Sequence, residues 1–318
     1  HRGGLQLAQN TPSYGGQAVL EGVVMRGQTY VSLSVRKPDG DISSLTKRSP
    51  SPSQKSAFMR LPVVRGACAF VDSFTLGIEM LVKSAEIAAP EEEQPSSTAA
   101  NVGVALGVAL AIGLFILLPA AVTPYLMKWM SIEGRLLSSL FETLLRMAIL
   151  VGYIAVVFRM PEIRRVIEYH GAEHKVIWAW ERHYREMLDS IRNDGWDMKR
   201  SIEFLVDKGA QQTRLHPRCG TSFLFIVVLC TWVVFLFVNT PSLLTRVAVR
   251  LVLLPLAAGL SYEVLKLSAD RTGPLWRIIR APGMALQAMT TREPDKDQLE
   301  VAATSLMHLV EVERGVFR

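Results

Sequence analysis

Cysteine is scarce in this sequence. The three present, Cys68, Cys219 and Cys230, lie far apart and form no C-x-x-C pair. That excludes a disulfide-stapled secreted scaffold and points to a reduced compartment. Charge is thin as well. Asp, Glu, Lys and Arg make up 20% of the 318 residues, against 49% apolar residues and a mean hydropathy of +0.24. The balance excludes a disordered chain and is too apolar for an average soluble protein. No Gly-Lys-Ser/Thr follows the glycines near the start, so a phosphate-cradling P-loop is absent. The net charge is +6 and the pI about 9.3. The basic residues alternate with Asp and Glu and no aromatic-basic platform accompanies them, so no nucleic-acid partner is expected. No secretory signal peptide is visible, and the polar stretch 1–10 is left out of the fold reading.

What the chain has in quantity is long apolar runs. No charged residue occurs from Gln94 to Met127, and Val102 to Tyr125 has the length a bilayer core demands of a helix. A second run, Leu136 to Phe158, is interrupted only by Glu142 and Arg146, four residues apart on one helix face, where they can pair. A third, Cys219 to Thr245, is uncharged; a fourth, Leu243 to Leu267, carries Arg246, Arg250 and Glu263. The expected fold is therefore mainly α: a polytopic membrane protein with four transmembrane helices, whose first partner is the lipid bilayer. Lys and Arg concentrate before the first run, between the second and third, and after the fourth. The positive-inside rule then places both termini and the middle segment in the cytoplasm.

The cytoplasmic part is expected to hold a small β hairpin and amphipathic helices. Tyr30 to Val35 alternates, Pro38-Asp39-Gly40 is a turn signal, and Ile42 to Thr46 returns as the partner strand. The preceding YGGQAVLEGVVMRG carries four glycines and reads as tight turns. Residues 61–89 form an amphipathic helix too polar to span, which would lie along the membrane surface. The expected divisions are an N-terminal cytoplasmic segment 1–89, a flexible acidic linker 90–100, transmembrane helices over 101–159, a cytoplasmic middle segment 160–221, transmembrane helices over 222–267, and C-terminal helices over 268–318. Pro294 opens the last helix, with Leu299, Ala302, Ala303, Leu306, Leu309 and Val310 as its apolar stripe.

The chemistry concentrates in two places. A helix opened by Pro161 and running to about Arg185 carries Ile163, Ile167, His170, His174, Ile177 and Glu181 on one face. Two imidazoles thus sit in an apolar, inward-facing stripe, where four-residue spacing lets both reach one ion. Glu173 beside them can activate a metal-bound water in the H-x-x-E-H arrangement. The second place is Leu215-His216-Pro217-Arg218-Cys219-Gly220-Thr221, at the mouth of the third run. Imidazole and thiolate suit zinc or another borderline-soft divalent metal. His216, Cys219 and a carboxylate such as Glu263 all remain open as the further ligand. The competing reading keeps His170 and His174 as hydrogen-bonded core residues and Cys219 as a buried thiol. Arg26 and Arg65 read as lipid-phosphate contacts or as plain surface charge.

GGQAVLEGVVMRG at 15–27, YHGAEHK at 169–175, HPRCGTSF at 216–223, GLSYE at 259–263 and PGMALQAMTTREPDKDQLEVA at 282–302 together resemble the YqhQ-like family of bacterial membrane proteins, a domain of unknown function sometimes labelled a metal-dependent enzyme. The resemblance implies a multi-spanning protein of the bacterial inner membrane and supplies no substrate. Position by position it marks Glu21, Arg26, His170, Glu173, His174, Lys175, His216, Arg218, Cys219, Glu263 and the block Thr290 to Pro294. Two functions follow from the reading. One is a metal-dependent hydrolase at the cytoplasmic face. The other is a non-enzymatic assembly or scaffold subunit for membrane-protein partners, in which the His/Cys cluster is structural.

Overall fold

The computed structural model describes residues 12–51, 56–90, 97–237, 242–269, 271 and 273–314. The acidic stretch of the expected linker, residues 91–96, and the polar start, residues 1–11, lie outside the described residues.

The chain opens with four strands, β1 (Gly15–Val19), β2 (Gly22–Arg26), β3 (Tyr30–Arg36) and β4 (Ile42–Arg48), in an antiparallel meander of order β1-β2-β3-β4. The expected hairpin is its second half. The glycine-rich stretch read as turns is instead the pair β1–β2, closed at Val19↔Gly22. Strand β2 escaped the alternation test because both its faces are buried. Val23 and Met25 pack into one core and Val24 into another. A strand covered on both sides reads as an unbroken apolar run.

Helix α1 (Val64–Ala88) lies on one face, its Met80 packed against Val24, Val31, Leu33 and Val35. The other face meets α5 (Pro161–Asp194) and α10 (Lys296–Arg314), with α6 (Met198–Ala210) behind them. Pro294 lies before α10 rather than inside it. The stripe expected on α10 is buried in full, and so are Val301, Ser305 and Met307. This helix is enclosed because it runs between the sheet and the α5–α6 pair, so its interior is wider than an amphipathic stripe.

The apolar runs form α2 (Ser97–Ile112), continued through a π-turn at Gly113–Leu117 into α3 (Leu118–Trp129), then α4 (Arg135–Val157), α7 (Gly220–Leu236) and α8 (Leu243–Ala269). Three stretches are long and apolar enough to cross a membrane: Asn101–Trp129, Leu136–Val157 and Leu243–Leu267. The expected fourth is shorter. Helix α7 has 17 residues, about 26 Å at 1.5 Å per residue, against a hydrocarbon core of about 30 Å. The charge-free run Cys219 to Thr245 is longer than this helix, which ends at Leu236. One further helix, α9 (Pro274–Thr290), packs on α7.

An ionic cluster ties these apolar helices together. Glu142 on α4 receives both terminal nitrogens of Arg250 from α8, one at 2.8 Å, and Arg146 Nη2 at 3.1 Å. Arg146 Nε also donates to the carbonyl of Phe115 in the π-turn, at 3.0 Å. The Arg250 guanidinium lies 5.1 Å from the Phe235 ring of α7. All three charged side chains are about nine-tenths buried. Removing the one carboxylate leaves two buried guanidinium groups without their anion, which costs about 3–5 kcal/mol. Glu142→Ala is therefore expected to lower the unfolding midpoint of the detergent-solubilised protein sharply. An unchanged midpoint would show that the cluster holds nothing together.

Candidate functional site

Helix α5 starts where proline is best tolerated, Pro161 at its first position, and ends at Gly195, whose φ of 81° suits only glycine well. It runs nine residues beyond the expected end. Along the chemical stripe Ile167, His174 and Ile177 are buried, while Ile163, His170 and Glu181 are half-buried.

Each of the two imidazoles is oriented from behind by a main-chain carbonyl. His170 Nδ1 donates to Thr290 O at 2.8 Å, and His174 Nδ1 donates to Arg214 O at 2.6 Å. A carbonyl can only accept, so the proton sits on Nδ1 in both rings and the neutral form leaves Nε2 with a bare lone pair. His170 Nε2 lies 3.2 Å from Cys219 Sγ. His174 Nε2 is buried and makes no hydrogen bond. The ring centroids are 4.5 Å apart. One ligand atom from each of His170, His174 and Cys219 falls within 4.8 Å of the others. Donors around a tetrahedral zinc stand about 3.3–3.7 Å apart, so the widest-spaced atoms of the set would have to draw together by up to about 1–1.5 Å to hold such an ion. Burial lowers the pKa of His174, with Cys219 pulling the other way. Loss of the proton is what a ligand requires.

His216 stands beside this set without joining it. Its ring centroid is 5.8 Å from that of His174 and 4.6 Å from Trp178. Its Nδ1 accepts from the Arg218 backbone N–H at 3.3 Å, which places the proton on Nε2. That atom faces Glu181 Oε2 at 3.6 Å, beyond hydrogen-bond range. Burial pushes the His216 pKa down to about 4. Glu173 is 5% exposed on the neighbouring side of α5. Burial raises its carboxyl pKa, partly opposed by His170, His216 and the Gly16 N–H.

The other singled-out residues are engaged elsewhere. Glu21, at φ 48° in the β1–β2 turn, binds Arg165 at 2.5 Å and accepts from Tyr169 Oη at 3.2 Å. Arg26 pairs with Asp72, and Arg65 with Glu263, its Nε at 2.7 Å. Both guanidinium groups are thus met by the chain's own carboxylates. Lys175 pairs with Glu293 at 2.6 Å, and Arg218 with Glu181.

Several residues of the quoted blocks shape the site without being among its candidate ligands. Gln287 of α9, fully buried, holds the His216 main chain at both its N–H and its C=O: Oε1 accepts from His216 N at 2.9 Å and Nε2 donates to His216 O at 2.8 Å. The strap after α9 crosses α5 where Arg292 N donates to Ile167 O at 2.9 Å. Gly171 permits this crossing, because a Cβ there would collide with the Arg292 carbonyl. Gln287 and Arg292 lie in the stretch 282–302 that carries the family resemblance, but spacing alone gives them no partner.

The His216 shift carries a sign. Its folded pKa of about 4 lies below the unfolded 6.5, so the unfolded chain binds the proton more readily between those values. Stability is therefore full above 6.5 and falls as pH drops toward 4, by about 3 kcal/mol for the whole shift. Melting in detergent at pH 7, 5.5 and 4.5 is expected to show this loss. His216→Asn, which keeps an acceptor for the Arg218 N–H, should reduce it, while His174 retains its own share. Equal slopes in both proteins would remove His216 from the account.

The family described as "Protein of unknown function (DUF1385)" matches residues 61–195 and 196–312. "Uncharacterized protein YqhQ" of Bacillus subtilis (strain 168) is 30% identical over 317 residues, covering 95% of this chain and 93% of that protein. No solved structure matches. The chain belongs to the DUF1385, YqhQ-like family.

Proposed function

We propose that this protein is a multi-pass protein of the bacterial inner membrane, with both termini in the cytoplasm, and that it holds a divalent metal at the cytoplasmic face through His170, His174 and Cys219. The observation that carries the reading is the buried, unbonded Nε2 of His174, held by its carbonyl-anchored Nδ1 toward His170 Nε2 and Cys219 Sγ. A buried nitrogen lone pair without a partner is costly, and a metal ion removes that cost. The donor set, two imidazoles and a thiol, suits zinc.

The reaction class is metal-dependent hydrolysis. A bound ion of this kind acts as a Lewis acid and lowers the pKa of a water. The chain's own part is to fix the two rings through Thr290 O and Arg214 O, and to hold a proton at Glu173. Burial raises the hold of that carboxyl on a proton. Cys219 lies directly before α7, so the substrate approaches at the level of the apolar helices. A lipid, a peptide or a membrane-protein segment meets that requirement.

A scaffold reading draws on a different observation. The same three ligands join α5 to the segment before α7, and the loop holding Cys219 is fastened to α9 through Gln287. A closed ion there would pin elements far apart in the chain.

Elemental analysis of the purified protein tests the shared premise. About one zinc or iron per chain is expected, lost in the His170→Ala, His174→Ala double variant. Unchanged metal content in that variant overturns the assignment. Cobalt-substituted protein titrated with azide separates the two roles: a shift of the visible bands shows an open coordination position and supports catalysis, and no shift supports the scaffold.

A further inference from the structure

Helix α1 has three faces, and the described residues cover two of them. One face carries Gly66, Gly77, Met80 and Ser84, all buried. A second is polar and paired: Asp72 with Arg26, Glu79 with Lys47, Glu86 with Lys83. The third is apolar and open. Val71 and Phe74 are each 53% exposed and Leu81 is 40% exposed, with Ile78 between them on the same stripe. Just before the helix, Phe58 and Leu61 are also exposed.

Two observations say what covers this third face. The first is where α1 begins. Its Gly66 packs on Gly259 of α8 so closely that a Cβ on Gly66 would stand 2.8 Å from Gly259 O and 2.7 Å from Tyr262 Cβ. Arg65 reaches Glu263 there, and the Val63 N–H donates to Glu263 Oε1 at 3.3 Å. Both Gly259 and Glu263 belong to the run Leu243–Leu267, long and apolar enough to cross a membrane. The start of α1 therefore sits at the depth of a spanning segment. The second is continuity. Phe70 lies 6.4 Å from Phe74 and 6.2 Å from Phe223, at the beginning of the apolar stretch Phe223–Leu236. Through Phe70 the open stripe of α1 is thus joined to the apolar helix α7.

We propose that the Val71–Phe74–Ile78–Leu81 face of α1 is seated in the lipid at the cytoplasmic boundary of the bilayer, with phospholipid chains as its occupant. An amphipathic helix of this kind lies in the interface plane with its apolar side buried among the acyl chains. Here the opposite faces are fastened to the sheet and to α8, so the helix fixes the depth at which the β-sheet domain rides on the membrane. Phe223 is four residues beyond Cys219, and the same seating holds the His170–His174–Cys219 set within about one helical turn of the lipid boundary.

The test places a photoreactive benzophenone on the full chain reconstituted into phosphatidylethanolamine and phosphatidylglycerol liposomes. After irradiation, Phe74→p-benzoylphenylalanine is expected to gain the mass of one phospholipid, and Glu79→p-benzoylphenylalanine, on the polar face, to gain none. If the Phe74 variant does not fold, Leu81 carries the probe. Absence of a lipid adduct at these positions overturns the proposal, as does a cross-link to a second copy of the chain. So does an adduct to another protein when the same variant is irradiated in cell membranes. None of these outcomes depends on metal content.

Discussion

The candidate site depends on two imidazole protons finding main-chain carbonyls. His170 and His174 are one turn apart on α5, and each gives its Nδ1–H to a carbonyl from a different part of the chain, Thr290 O and Arg214 O. Those two bonds fix the tautomer and turn both Nε2 atoms to the same side. Without them the rings would be two more side chains seeking partners. With them, His170 Nε2, His174 Nε2 and Cys219 Sγ converge. Outer partners of this kind orient metal-ligating histidines and raise their basicity.

The rest of the fold serves to keep those carbonyls in place. Arg214 belongs to the segment between α6 and α7, which is held by Gln287, by Trp178 Nε1 donating to Leu215 O at 2.9 Å, and by Arg214 bound to Thr291 Oγ1 at 2.9 Å. Thr290 ends α9, and the strap beyond it crosses α5 over Gly171. Helix α10 then fills the space between α5, α6 and the sheet. The apolar helices meet this domain through α7, whose first residue follows Cys219, and through α8, clasped to α1 at Gly66 and Gly259. A site at the junction of the two parts is thus supported from both.

Burial sets the protonation tendencies of the site. It disfavours charge on His174 and His216 and favours the protonated carboxyl of Glu173. Neutral imidazoles next to a carboxyl that readily holds a proton form an environment suited to binding a cation and moving a proton. His216, with its Nδ1 already accepting from Arg218 N, belongs to the surrounding polar frame together with Trp178, Glu181 and Arg218.

Much was readable from residue spacing. The helical placement of His170, His174 and Ile177, the apolar stripe of α10 and the hairpin β3–β4 all follow from the 3.6 and 2.0 periods, which are local properties of the chain. The long apolar runs announced themselves by composition, although the length of α7 did not. Sequence was silent where a contact joins distant segments. Strand β2 hid because it is covered on both faces. Gln287 looked like any polar residue until its amide met the His216 peptide, and which atoms would complete the pair of imidazoles stayed open among His216, Cys219 and Glu263. The choice fell to packing: the bend before α7 brings Cys219 Sγ to His170, the Arg218 N–H occupies His216 Nδ1, and Arg65 draws Glu263 away to α1. Periodicity fixes which side of a helix a residue occupies. Only the close packing of segments from 40 to 120 residues apart decides what that side meets.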